Sequence, residues 1–463
     1  MSDKTGPTSQ EDDRSMDDWL RAERYAEAAR LLAERGRWRW ALRQLDLALT
    51  LDPDRGDWHA ERGVALDGLA RYEEAIDAYL RAIELTDPTP ELRLNLGIDL
   101  ARVGAYDESA ETLREAASMD ATWVDPWVEL IGVETARGDL DGRDEAFYTG
   151  QQIDDTQAAL YVAMAMSVAM HEDHERSALC WREVLKRDPR HPDARLQMAR
   201  CHWRVGRVDR ARRLYVQQLN LDPTDTSALM ELGGLLATLD RRGEAAAALR
   251  SLVELDPEHA EAHALLGEIA LRQGHADAAR RRFRRAQRLD PDRPGIHLGL
   301  ARAALAEDQP GTARDHARVE LARGPTDARH VIELARVLLE VDLGAEALDL
   351  LQPWSDDWSA FGDARPAADA ALLFGVAHLV QGDPDTGVRA CRDSHRLDPT
   401  MSVALCNVVL AYAELGRIRR AQAVLRRLVQ QHPRDPRLED LRHRVRRAAW
   451  RKRLGQAWRR PRP

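Results

Sequence analysis

The residue types that most often carry chemistry are scattered along this chain rather than gathered. His171, Glu172, Asp173 and His174 stand together. A zinc-binding helix needs two histidines four apart on one face with a glutamate beside the first. These two are three apart and fall where the pattern places a turn. His259 and His263 are four apart, but His259 reads as a residue of the loop before its helix. The four cysteines, Cys180, Cys201, Cys391 and Cys406, show no C-x-x-C spacing and no regular framework. They read as small core residues in a reducing compartment, with the cytoplasm as the default. No Walker-type loop, dinucleotide glycine fingerprint or G-x-S-x-G elbow occurs. Strand signals are missing too, so no sheet edge is expected to carry such loops. The expectation is a chain that is not an enzyme, with no metal, no cofactor and no small-molecule substrate.

Composition narrows the class. At 463 residues, 44% hydrophobic and 32% charged, the chain fits an ordered, helix-rich protein too long for one core unless it is an array of repeats. Residues 1–15 lack the apolar core of a signal peptide, and no run approaches the roughly 20 apolar residues of a membrane span. The net charge of −10 hides an asymmetry: residues 434–463 hold 11 Arg and 1 Lys against 3 acids. Acidic bodies with basic tails often meet anionic partners.

The elements that position these residues follow from an internal period. Leu-Asp-Pro, or a degraded form of it, ends at Pro53, Asp87, Ala121, Asp155, Pro189, Pro223, Pro257, Pro291 and Pro325, each step being 34 residues. Pro399 and Pro433 are again 34 apart, whereas Pro325 to Pro399 is 74, two periods plus 6. One small-residue column runs through Ala29, Gly63, Gly97, Ala165, Ala199, Gly233, Gly267, Ala301, Ala335 and Gly375, broken at Ile131 and Val409. A second runs from Ala41 through Ala75, Ser109, Ser177 and Ala211 to Ala421, broken at Arg143. Between them lies a glycine column: Gly36, Gly104, Gly138, Gly206, Gly274, Gly382 and Gly416.

Glycine halfway through the unit suits the left-handed residue that ends a helix, so each unit reads as helix, tight turn, helix. Small residues at one register on each helix allow close approach. Large ones such as Leu45, Tyr79, Leu113, Phe147, Trp181, Tyr215, Leu249 and Phe283 fill the groove beside them. The closing Asp-Pro stops the second helix. With "Arg-Tyr-Glu-Glu-Ala-Ile" at 71–76 and "Gly-Arg-Val-Asp-Arg-Ala" at 206–211, this pattern resembles the tetratricopeptide repeat (TPR). The resemblance covers residues 22–435, about twelve units, with departures around Arg143 and Trp354. It implies an all-α fold, a right-handed α–α superhelix, and a non-catalytic scaffold or adaptor that binds protein segments on its concave face.

By the same resemblance the first helix of each repeat lines that face. Some family members hold a terminal carboxylate there with a Lys/Asn/Arg clamp. The matching positions here are Ala26 and Arg30, Ala60 and Val64, and Leu94 and Ile98, so the Lys and Asn are absent and a chaperone-tail receptor of that kind is not expected. The same register carries Val128, Gly132, Val162, Met166, Ala169 and Met170, an apolar stripe with adaptable methionines. Downstream it carries Arg200, Trp203, Arg204, Arg272, Arg302 and Arg336, residue types that interfaces favour and that grip carboxylates. The partner expected is an extended or helical segment with apolar and acidic parts. The alternative is ordinary packing, with the arginines paired to Glu231, Glu268 and Glu333.

Three further regions complete the reading. Residues 1–15 are expected to be a disordered tail, with Ser15 capping the first helix and Asp18 completing a capping box. Residues 16–435 form the solenoid, interrupted near 353–366. That insertion brings Trp354, Trp358 and Phe361, read either as interface anchors on a loop or as rings filling a gap. Residues 436–463 form a basic capping helix and tail, with Leu438, Leu441, Val445, Ala448, Ala449, Leu454 and Trp458 able to share one face. Its Arg excess also permits contact with nucleic acid or an anionic membrane. With 21 residues before the array and 28 after it, no catalytic domain is expected.

Overall fold

The computed structural model describes residues 8–325 and 327–458, with side chains for 17–325 and 327–451. Among the described residues every regular element is helical. The chain divides after Pro223 into two compact units. The first holds α1 (Thr8–Ala33), α2 (Trp38–Leu51), α3 (Gly56–Asp67), α4 (Tyr72–Leu85), α5 (Pro90–Arg102), α6 (Tyr106–Met119), α7 (Asp125–Arg137), α8 (Leu140–Ile153), α9 (Ala158–Met170), α10 (His174–Arg187), α11 (Ala194–Arg204) and α12 (Val208–Leu221). The second holds α13 (Thr226–Thr238), α14 (Arg242–Leu255), α15 (Ala260–Arg272), α16 (Ala276–Leu289), α17 (Ile296–Ala306), α18 (Pro310–Ala322), α19 (Ala328–Glu340), α20 (Gly344–Leu351), α21 (Ala364–Val380), α22 (Pro384–Leu397), α23 (Ser402–Glu414), α24 (Ile418–Gln431) and α25 (Leu438–Trp458).

Consecutive helices pair into hairpins, and the glycine column marks the turns. Gly104 sits at φ +84°, with Ala105 N–H donating to the Leu100 carbonyl at 2.9 Å and Gly104 N–H to Ala101 at 3.1 Å. These bonds satisfy carbonyls that the helix end would otherwise leave open. Where the column lacks glycine the backbone keeps the same shape: Ala70, Glu172, Asp240, Asp308 and Asp342 all have φ between +55° and +61°. Each of these L-residues carries a conformational cost of about 1–2 kcal/mol, which the packed hairpin overrides.

The small columns act as sockets. A Cβ built on Gly233 would lie 2.7 Å from Leu249 Cδ2, and one on Gly267 would lie 2.9 Å from Phe283 Cζ. In each case the large residue 16 positions on, in the second helix, occupies the space that a side chain would need. Serine in the second column adds a hydrogen bond: Ser109 donates to the Gly97 carbonyl at 2.6 Å and Ser177 to the Ala165 carbonyl at 2.9 Å.

Repeat four departs from this pattern, and the reason is visible. Ile131 fills its column position fully buried. Arg143 is buried as well, its guanidinium held by Asp144 at 2.8 Å, which also binds Arg176 at 3.0 Å. The rings of Phe147 on α8 and Tyr161 on α9 meet edge to face at 5.4 Å. The buried Glu134 takes Arg137 at 2.6 Å and Arg114.

The insertion shortens α20 to 8 residues and replaces the rest of that helix with two single 3-10 turns, Gln352–Trp354 and Trp358–Phe361. Trp354 and Trp358 are half-buried rather than displayed. Trp354 stacks on the buried Phe361 at 4.7 Å, and Trp358 lies 5.6 Å from Phe374 of α21. The rings fill the space left by the short helix.

The N-terminal end differs from expectation. Helix α1 begins at Thr8, inside the stretch expected as a tail, and Ser15 lies within it rather than at its cap; residues 1–7 lie outside the described residues. At the other end, α25 buries Leu438, Leu441 and Val445 against α23 and α24, while Ala448 and Ala449 are half-buried. The side chains of Leu454 and Trp458, and residues 459–463, lie outside the described residues.

Candidate partner-binding surface

Helix α9 (AALYVAMAMSVAM) has no charged residue in 13 positions. One side packs Leu160, Tyr161, Met164, Ala165 and Val168 into the core of the first unit. The other side is left largely open among the described residues: Met166 is 59% exposed and Met170 74% exposed. Val162 and Ala169 on this side are half-buried. On α7, which packs beside α9, Val128 is half-buried and Gly132 is exposed, with no atom within 4 Å of a Cβ built on it. The register continues backward through half-buried Leu94 and Ile98 of α5 and exposed Val64 of α3. The result is an apolar strip with a notch at Gly132 and flexible methionines beside it. Leu94, Ile98 and Val64 entered the sequence reading only as failed clamp positions. Their place two or three periods before Val162 and Met166 is the signal that joins them to the strip.

The arginines behave differently. On α11, Arg200 and Trp203 are half-buried and Arg204 is exposed. Arg272 is exposed at the end of α15, where its carbonyl accepts from Arg242 at 2.6 Å. Arg302 makes a forked contact with Glu268, at 2.9 and 3.2 Å. Arg336 pairs with Glu333 of its own helix at 3.0 Å. Arg302 and Arg336 line one surface groove of about 440 Å³, which Glu333 and Glu340 share. Two of the anticipated acid partners, Glu268 and Glu333, therefore already occupy these guanidiniums. At the start of the chain the register position Arg30 is likewise spent, on Glu61 at 2.6 Å. Burial pushes that Glu61 carboxyl up, against the pull of Arg30. The structure thus brings Val128, Gly132, Val162, Met166 and Met170 together in the first unit. Arg302 and Arg336 line one groove in the second unit, and Trp354 and Trp358 both pack on Phe361 at the edge of its core.

The residues with chemical potential are employed structurally. Asp173 accepts from Arg176 N–H at 3.0 Å and caps α10 between His171 and His174. His259 caps α15, its Nδ1 accepting from Ala262 N–H at 3.2 Å, while His263 Nε2 lies 3.2 Å from the Pro257 carbonyl. All four cysteines are buried. Burial pushes the Cys180 thiol up to about 11 and the Cys391 thiol up to about 12, so both are protonated and poor nucleophiles at neutral pH. No helix among the described residues is long and apolar enough to cross a membrane.

Three family models for the tetratricopeptide repeat match the chain: one at residues 181–230, 203–269 and 236–293, one at 20–92 and 266–328, and one at 408–435. Together they cover more than half of it. The chain belongs to the tetratricopeptide repeat family. The TPR chain is similar to the peroxisomal targeting signal receptor of Candida albicans, 38% identical over 72 residues, which is 16% of this chain and 12% of that one. It is similar to the same receptor of Eremothecium gossypii, 37% identical over 91 residues, 20% of this chain and 15% of the other. The TPR chain thus spans less than a sixth of the length of these curated relatives. Among solved structures it resembles a chain of the Cut9–Hcn1 hetero-tetramer at 14% identity and TM-score 0.46, covering 93% of this chain and 96% of that one. TPR proteins are generally non-catalytic scaffolds, which supports a protein-interaction role here.

Proposed function

We propose that this TPR chain is a non-catalytic scaffold that holds an extended or helical partner segment against the apolar strip of α5, α7 and α9. The observation that carries this reading is α9 itself: a helix without charge whose outer side leaves Met166 and Met170 exposed. A helix that is apolar all round is normally buried, and here nothing among the described residues covers Met166 and Met170. Methionine adapts to side chains of varied shape, and the space at Gly132 can seat one of them. The partner's acidic part reaches guanidiniums such as Arg204, which has no ion-pair partner among the described residues and gains a charge-assisted bond on binding.

The test compares partner capture by the full chain with capture by a Met166→Asp/Met170→Asp variant of equal melting temperature. The expected result is loss of the partners that wild type enriches. An unchanged partner set would remove the strip from the account.

A further inference from the structure

The basic helix α25 is more than a lid. Its buried side, Leu438, Leu441 and Val445, closes the last hairpin. Its other side meets α23 across a groove of about 940 Å³. Leu410, Ala413 and Ala448 supply the apolar part of its lining. One wall is basic, with His443, Arg447 and Arg451. Arg447 and Arg451 are one helical turn apart, both exposed, and neither has an ion-pair partner among the described residues. Arg444 is different, because Asp440 binds it at 2.8 Å. The opposite wall carries Glu414.

We infer that this groove is a second docking site, for an acidic amphipathic segment of a partner protein. Carboxylates spaced by a helical turn meet Arg447 and Arg451, each guanidinium offering a two-pronged donor. An apolar side chain settles on Leu410, Ala413 and Ala448. A basic or amide group on the partner answers Glu414.

Charge pattern decides among anionic partners. A nucleic acid lays phosphate along its whole length, and the carboxylates of Glu414 and Asp440 stand in that path. The exposed Trp450, the ring that could stack on a base, is not part of the groove lining. A membrane would need the apolar side of α25, which is already spent on the core. A mixed acidic and apolar peptide satisfies both walls and the apolar part of the lining.

This inference rests on the reading of the chain as an interaction scaffold, but it uses none of the residues of α5, α7 or α9, so the two sites fail separately. The experiment titrates the full chain into a fluorescein-labelled synthetic peptide with glutamates and leucines at helical i, i+4 spacing, read by anisotropy. Saturable binding is expected. Arg447→Glu with Arg451→Glu should weaken it at least about tenfold, and Glu414→Lys should tighten it. Equal helical circular dichroism and melting would establish that each variant folds. Absence of saturable binding would overturn the inference, as would indifference to the arginine reversal. Tighter capture of duplex DNA or phosphatidylserine vesicles through the same two arginines would overturn it in favour of a polyanion site.

Discussion

The first helices α9 and α17 occupy the same register of the same repeat, yet present opposite chemistry. On α9 the outward positions are Val162, Met166 and Met170, with no charge anywhere on the helix. On α17 the position matching Met166 is Arg302, already forked onto Glu268 of the preceding first helix. Packing fixes where an outward side chain stands but leaves its identity free. In the second unit that freedom is used on ion pairs that satisfy one another. On α9 it leaves apolar surface that nothing among the described residues covers. The helix with unmet surface is the one that has something to offer a partner.

The comparison can be broken or sharpened at four levels. The largest effect comes from destroying the geometry that both helices share. Gly267→Leu drives a side chain into Phe283, and overpacking of this kind should cost about 3 kcal/mol or unfold the hairpin, seen as a fall in the urea midpoint. Next is the apolar strip, where Met166→Asp with Met170→Asp should lower partner affinity at least about tenfold, or about 1.4 kcal/mol, with the melt unchanged. The paired matrix Arg302→Ala should change partner affinity less than about threefold.

Turn residues come third. Gly104→Ala should cost about 1 kcal/mol, because no atom crowds the new Cβ and only the left-handed backbone opposes it. Ala70→Gly, at φ +55°, should gain about as much by the same argument. Both are measured by urea titration. The smallest effect is the Arg302–Glu268 pair itself, partly exposed on both sides. A double-mutant cycle on stability should return about 0.5 kcal/mol.

Much of this architecture was readable from the sequence, because the constraints are steric and repeat. A small residue facing a large one 16 positions later leaves a mark in every unit, and so does the Asp-Pro stop. The turn was half readable. Glycine announces a left-handed residue, whereas Ala70, Glu172, Asp240, Asp308 and Asp342 do not, and only the period reveals them. Arg143 looked like a defect in a small-residue column; Asp144 on the same helix makes its burial tolerable. The rings of the insertion could have faced outward or inward by type alone. The shortness of α20 decides it, because Trp354, Trp358 and Phe361 stand where the rest of that helix would have been, with Trp358 against Phe374 of α21. The site was readable as a stripe of residue types. Which arginines were already engaged depended on acids one repeat away, and no spacing rule reports that.

The most direct test of the apolar strip is site-specific photocrosslinking in cells. Met166→benzoylphenylalanine is compared with Leu179→benzoylphenylalanine, the latter an exposed apolar position on the second helix α10. The account predicts that position 166 crosslinks to one defined segment of a partner and that position 179 does not. Equal crosslinking from both positions, or none from 166 while partners are still captured by the full chain, would contradict it.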